Sequence, residues 1–234
     1  MNLRKSIAAV VLVLLGASVS LAAAESTLVY FDQPGSAQLF QESDVKTPFW
    51  TLARYFISEQ VDTFCGVASS IMVLNALEVP SPTLPFAYPY KKFDQENIFN
   101  SAVLAIKPAN RIMADGLTLE QLSALLATFG MKVETHHADT TPLDRFRELA
   151  VNTLKAKDHY IVVNFSRVAL GQVGDGHMSP LAAYHQKTDR FLMLDVARYK
   201  YPPAWVAAED LWKAMNTEDV GAKAKRGFVI VSRQ

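Results

Sequence analysis

Between Val67 and Leu77 apolar residues fall on nearly every face of a 3.6-residue period, which predicts a helix buried on all sides. Pro80 stops it. Thr118 with Gln121 three residues later makes a capping box, followed by Leu119, Leu122, Leu125, Leu126 and Phe129 at helical spacing and by Gly130 as a stop. Thr141-Pro142 opens a third helix running to about Lys157, with Leu143, Phe146, Ala150 and Leu154 as its buried stripe. Met131 to Thr135 suits a short strand between these two helices. From Tyr160 the period shortens: Tyr160–Phe165, Met178–His185, Phe191–Leu194 and Gly227–Ser232 are strand-like runs separated by polar turns. Helices first and strands second predict an α+β fold, with an antiparallel sheet packed on the central helix.

The rest of the chain is less regular. Residues Glu25 to Phe49 mix apolar and polar positions around Pro34-Gly35 and read as an arm leading to the core. Trp50 to Ile57 is apolar enough to pack beside the central helix. Pro80, Pro82, Pro85 and Pro89 mark a loop. Its aromatic residues Phe86, Tyr88, Tyr90 and Phe93 are placed either to line a groove or to form satellite core.

The first 24 residues change the picture. Arg4 and Lys5, the apolar run Ile7 to Leu15 and the small residues Leu21 to Ala24 have the order of a secretory signal peptide. An uncleaved membrane anchor is the alternative, for a stretch barely long enough to span. The expected layout is a signal over residues 1–24 and one domain over 25–234, secreted or periplasmic. With 23 basic and 23 acidic residues, the charge balance points to neither nucleic acid nor a membrane surface as partner.

Cys65 is the single cysteine, so no disulfide forms within the chain, and a lone thiol in an oxidising compartment stands out as reactive. It falls at the first turn of the central helix, where unpaired N–H groups and the helix dipole favour a thiolate. An inert buried cysteine is the plain alternative. Downstream, Gly174-Asp175-Gly176-His177 precedes one strand and Asp195 closes the next. Centring the turn between them near residue 188 places Asp195 opposite residue 181, on the order of 13 Å from His177 at ~3.3 Å per residue. A simple hairpin therefore leaves the two apart, and contact needs a bulge or another register. Cys65, His177 and Asp195 are the residue types for covalent acyl transfer: a nucleophile, a base and a group that orients the base.

The wording around these residues resembles the phytochelatin synthases of the papain-like cysteine peptidase clan. The blocks are Phe64-Cys65-Gly66-Val67-Ala68-Ser69 with Val73–Leu77, then Gly176-His177-Met178-Ser179-Pro180 with Tyr184-His185, and Leu194-Asp195-Val196-Ala197-Arg198-Tyr199-Lys200-Tyr201-Pro202-Pro203. The likeness runs from about Thr47 to the C-terminus. It implies a papain-like fold and an enzyme that cleaves the Cys-Gly bond of glutathione. Cys65 would be the nucleophile that forms a γ-glutamylcysteinyl thioester, His177 the base and then acid, and Asp195 the residue orienting it. Water would release γ-glutamylcysteine, and a second glutathione would give phytochelatin.

The resemblance also implies a glutamine before the cysteine as oxyanion-hole donor. The usual spacing of six falls on Glu59, which cannot donate when ionised; Gln60, five residues back, is the expected donor, by a local shift. Asp219 and Arg226 resemble positions that hold the γ-glutamyl end, with charged surface residues as the alternative. Arg198 suits a structural ion pair. The short length resembles bacterial forms, in which hydrolysis outweighs polymer formation. No cofactor is then required for hydrolysis, and Cd2+ or Zn2+ enters as a metal-glutathione thiolate in the transferase reaction. His136-His137 is a poor metal pair, because adjacent side chains on a strand point to opposite faces. Glutathione is the expected partner, and a homodimer stands open. Rival readings are a peptidase acting on another peptide and an idle relative that binds thiols or metal.

Overall fold

A computed structural model describes residues 28–234; the expected signal segment lies outside these residues. The elements run β1 (Val29–Tyr30), α1 (Ser36–Glu42), α2 (Thr47–Arg54), α3 (Cys65–Ala76), α4 (Ser101–Ile106), α5 (Ala109–Asp115), α6 (Leu119–Thr128), β2 (Met131–His137) and α7 (Leu143–Lys155). After these come β3 (His159–Ser166), β4 (Gly176–His185), β5 (Arg190–Met193), β6 (Ala204–Ala207), α8 (Ala208–Met215), β7 (Glu218–Asp219), β8 (Ala224–Lys225) and β9 (Gly227–Arg233). Among the described residues seven strands form one antiparallel sheet in the order β1-β6-β5-β4-β3-β9-β2, and β7 and β8 form a separate small hairpin.

The strand runs are almost continuously apolar because both faces of the sheet are covered. Alternation sorts them: Tyr160 and Val162 of β3 join the core built on α3 and α6, while Ile161, Val163 and Phe165 join a second core with Phe146 of α7 and Leu211 of α8. The expected α+β architecture holds, and the second helical layer is an addition to it. Helix α8 escaped the sequence reading because it is short and has no side-chain N-cap. The arm is likewise structured: β1 pairs with β6, and Val45 bridges to Tyr184 of β4.

All twelve residues of α3 are buried, as the unbroken apolar pattern demands. Its few polar groups are each satisfied: Ser69 donates to the Met178 carbonyl (3.1 Å), Ser70 to the Gly66 carbonyl (2.7 Å), and the Asn75 amide exchanges hydrogen bonds with the Phe93 backbone. Gly66 lets α3 approach β4 closely, since a Cβ there would stand 3.0 Å from the Met178 sulfur and 3.2 Å from Leu117. That contact sets Cys65 against the start of β4.

The β4–β5 pairing departs from the simple hairpin. His185 faces Arg190 and Ala183 faces Leu192, but Leu181 then faces Met193, a bulge within β4. Carried to the end of β5, this register brings Asp195 opposite residue 179 rather than 181. His177 becomes its diagonal neighbour, within side-chain reach.

Candidate active site

Cys65 opens α3 at the floor of a cleft of about 470 Å³, within the range of small-molecule sites. It is 8 % exposed. Burial pushes its thiol up to about 12, and Glu59 adds to the effect when ionised; hydrogen bonding with the Met178 and Gly66 backbones opposes it. The helix start is expected to favour a thiolate, and burial works against it here. Desolvation outweighs these hydrogen bonds and favours the thiol form.

A ring nitrogen of His177 and a carboxylate oxygen of Glu59 lie with the Cys65 sulfur, all within 4.8 Å of one another. Burial holds the His177 pKa below its ordinary value, against the pull of Asp195, so the ring is neutral at pH 7 and able to accept a proton. Its Nε2 stands 2.9 Å from Asp195 Oδ1. This approach is off the ring N–H axis and leaves Nε2 without an aligned hydrogen bond among the described residues; the contact becomes an ion pair when the ring takes up a proton.

Asp195 is fully buried, at 0 % exposure. Burial by itself would raise its pKa, but His177 and Arg167 outweigh that and keep the carboxyl below the usual carboxylate range. Arg167 grips it with both arms of the guanidinium, Nη1 to Oδ2 at 2.8 Å and Nη2 to Oδ1 at 2.9 Å. The Ala197 N–H adds a third donor at 2.9 Å. Arg167 is 3 % exposed, donates to Gln172 Oε1 (2.7 Å) and lies over the Tyr201 ring. Sequence reasoning missed this arginine. The only signal was a cation closing an apolar strand run, and nothing local tied it to a residue 28 positions later. Arg198, expected in an ion pair, instead stacks on Phe56 and donates to its carbonyl.

Before the cysteine the structure separates the two neighbours. Gln60 is exposed, its N–H donates to Gln95 Oε1 (2.9 Å), and its side chain does not line the cleft. No local shift brings it in. Glu59, six residues before the sulfur, is the side chain in the cleft; it is 4 % exposed, and its N–H donates to the Val196 carbonyl (2.8 Å). Burial pushes its carboxyl up to about 7, and its Oε1 shares a hydrogen bond with the Tyr199 hydroxyl (2.8 Å).

Asp219 and Arg226 lie in the same cleft as Cys65. Arg226 Nη1 is 3.3 Å from Asp219 Oδ2, and Asn164 contacts both side chains at 3.4 Å. Arg226 is buried, so the surface-charge alternative does not describe it. Gly176 makes room for it: a Cβ there would overlap the guanidinium. Elsewhere, Phe86, Tyr88 and Tyr90 are exposed and Phe93 is core; none of the four lines the cleft. His136 stacks on Phe228, while His137 contacts Glu120 at 2.7 Å. An ion bridging Glu59, Cys65 and His177 would occupy both the sulfur and the ring nitrogen.

Comparison with known proteins follows the same outline. A family model described as phytochelatin synthase matches residues 20–228. Glutathione gamma-glutamylcysteinyltransferase 1 of Lotus japonicus is 36% identical over 208 residues, covering 88% of this chain and 40% of that protein. The protein of the same name from Triticum aestivum is 37% identical over 186 residues, 80% of this chain and 36% of its own length. Glutathione gamma-glutamylcysteinyltransferase of Schizosaccharomyces pombe is 29% identical over 183 residues, 78% and 43% of the two chains. The chain thus spans about two fifths of the length of these curated relatives. With the match extending over most of its length, the chain belongs to the phytochelatin synthase family.

Proposed function

We propose that this chain is an exported enzyme of papain-like fold that cleaves the Cys-Gly bond of glutathione through a thioester on Cys65. The observation that carries the reading is one cleft. It holds a sulfur and a ring nitrogen within 4.8 Å, with a carboxylate behind the ring and an Asp219–Arg226 pair along the wall. A buried helix that presents the cysteine, set against an antiparallel sheet that presents the histidine and aspartate, supports the papain-like assignment. Export is supported by the basic-then-apolar order of residues 1–24.

The chemistry follows from the protonation states. His177, neutral, takes the thiol proton as the sulfur attacks the carbonyl carbon of the Cys-Gly bond, so the thiolate need not persist in the resting enzyme. Asp195 stabilises the imidazolium that results. As the tetrahedral intermediate collapses, His177 returns the proton to the leaving glycine nitrogen. Water, deprotonated by the same ring, then frees γ-glutamylcysteine, or a second glutathione accepts the acyl group and extends to phytochelatin. Cadmium or zinc enters this reaction as part of a glutathione thiolate substrate. Asp219 faces the α-ammonium of the γ-glutamyl end and Arg226 its α-carboxylate, the charge-assisted pairing each group favours.

The test is product analysis. The protein lacking residues 1–24 is incubated with glutathione under reducing conditions, with and without cadmium, beside Cys65→Ala. Glycine and γ-glutamylcysteine formed only by the wild type support the reading. Equal product from both proteins rejects it, and cleavage of unrelated peptides in preference to glutathione would favour a general peptidase.

A further inference from the structure

Glu59 combines features that an ordinary ionised glutamate would not hold together. It is buried beside the reacting sulfur, one carboxyl oxygen touches Tyr199, and the other, Oε2, meets no donor among the described residues. The Tyr199 hydroxyl also contacts Asp62 Oδ1 at short range. Three oxygens in a row, Glu59 Oε1, Tyr199 and Asp62 Oδ1, thus make two hydrogen-bond contacts, while a phenol brings one proton. The second contact needs a proton from a carboxyl. Asp62 is exposed and Glu59 is not, so desolvation assigns that proton to Glu59.

The surrounding charges agree. Facing Glu59 are Asp62 on its own loop, Tyr199 and Asp195 on the segment after β5, Arg167 beyond β3, Cys65 at the start of α3 and His177 on β4. Arg167, the cation in this set, is committed to Asp195 by two hydrogen bonds. Nothing in the group compensates a second buried negative charge.

We propose that Glu59 stands in the cleft as a neutral carboxylic acid and donates its proton in a hydrogen bond to the oxyanion that forms when Cys65 attacks the glutathione carbonyl. The proposal rests on the glutathione reading above. In the resting protein the proton is shared through Oε1 with Tyr199. With substrate bound, the carboxyl turns about its Cγ–Cδ bond so that its O–H meets the substrate's carbonyl oxygen; Tyr199 then donates to the other carboxyl oxygen in exchange, and Asp62 turns to water. Glu59 so performs the task of a side-chain amide, but only while it keeps its proton. Above neutral pH an ionised Glu59 donates nothing and opposes both the thiolate and the oxyanion.

Two substitutions of similar size separate donor from charge. Glu59→Gln donates at every pH, and Glu59→Met removes charge and donor together. Glycine release by the wild type should fall as pH rises through about 7. Glu59→Gln should lack this fall and exceed the wild type at pH 8, whereas Glu59→Met should run roughly 100-fold below Glu59→Gln at pH 6, the loss typical of one oxyanion donor. A second readout needs no substrate. A carboxyl whose pKa is raised by folding contributes stability at low pH that is lost as pH rises through its folded value, so the melting temperature of Glu59→Gln should gain on the wild type between pH 5 and 8. Glu59→Met matching Glu59→Gln in rate, or Glu59→Gln keeping the alkaline fall, overturns the donor role while the glutathione reading stands. A wild type that releases no glycine overturns that reading and the oxyanion donor with it.

Discussion

Replacing Arg167 with methionine keeps much of the side chain's volume and removes the two guanidinium donors that hold Asp195 at 2.8 and 2.9 Å. Asp195 would retain the Ala197 N–H and His177 as partners. Removing one partner of a buried ion pair costs about 3–5 kcal/mol, because the other charge stays desolvated and unpaired. For a chain of this size that corresponds to a melting temperature lower by roughly 6–20 °C. The pH dependence has a definite sign. Asp195 is held below the usual carboxylate range in the folded protein, so its contribution is present above about pH 4 and is lost as pH falls below that. Without Arg167 burial dominates, the folded pKa rises, and acid unfolding begins at higher pH. Glycine release should drop roughly 100-fold, the scale of an ångström misplacement of the base. Scanning calorimetry at pH 4 to 8 on wild type, Arg167→Met, Asp195→Asn and the double variant reads the coupling directly. A double variant as destabilised as the two single losses added together, or an Arg167→Met that melts within 2 °C of wild type, would refute the pairing as described.

Further expectations concern single positions. Gly176→Ala forces Arg226 out of its place, so KM for glutathione should rise tenfold or more with a smaller change in kcat; an unchanged KM would remove Arg226 from the binding site. Gln60→Ala, at an exposed position outside the cleft, should keep glycine release within about twofold, and a loss near the ~100-fold of an oxyanion donor would contradict this. Alkylation of Cys65 by iodoacetamide should be slow at pH 7 and still rise through pH 9, since the thiol is pushed up to about 12. A plateau below pH 7 would instead reveal a standing thiolate.

The sequence was most legible where one local rule decided the outcome. The capping box at Thr118 and Gln121 forms as read, with both reciprocal hydrogen bonds. The all-apolar run after Cys65 is a fully buried helix, and the strand runs pair antiparallel. Where placement depended on long-range pairing the reading stopped short. Asp195 meets His177 because of a bulge between Leu181 and Ala183 that the apolar run of β4 does not place. Arg167 reaches Asp195 only through the order in which β3, β4 and β5 pair. The choice between Glu59 and Gln60 turned on charge rather than geometry. An ionised glutamate is excluded as a donor, but burial changes which form of glutamate is present.

The most direct test of the thioester chemistry is the intact mass of the protein, acid-quenched within the first turnovers with glutathione. One γ-glutamylcysteinyl group on the wild type, mapped to Cys65 and absent from Cys65→Ala, is the expected result. Steady glycine release with no adduct at any quench time, or an adduct mapped to another residue, would contradict catalysis through Cys65.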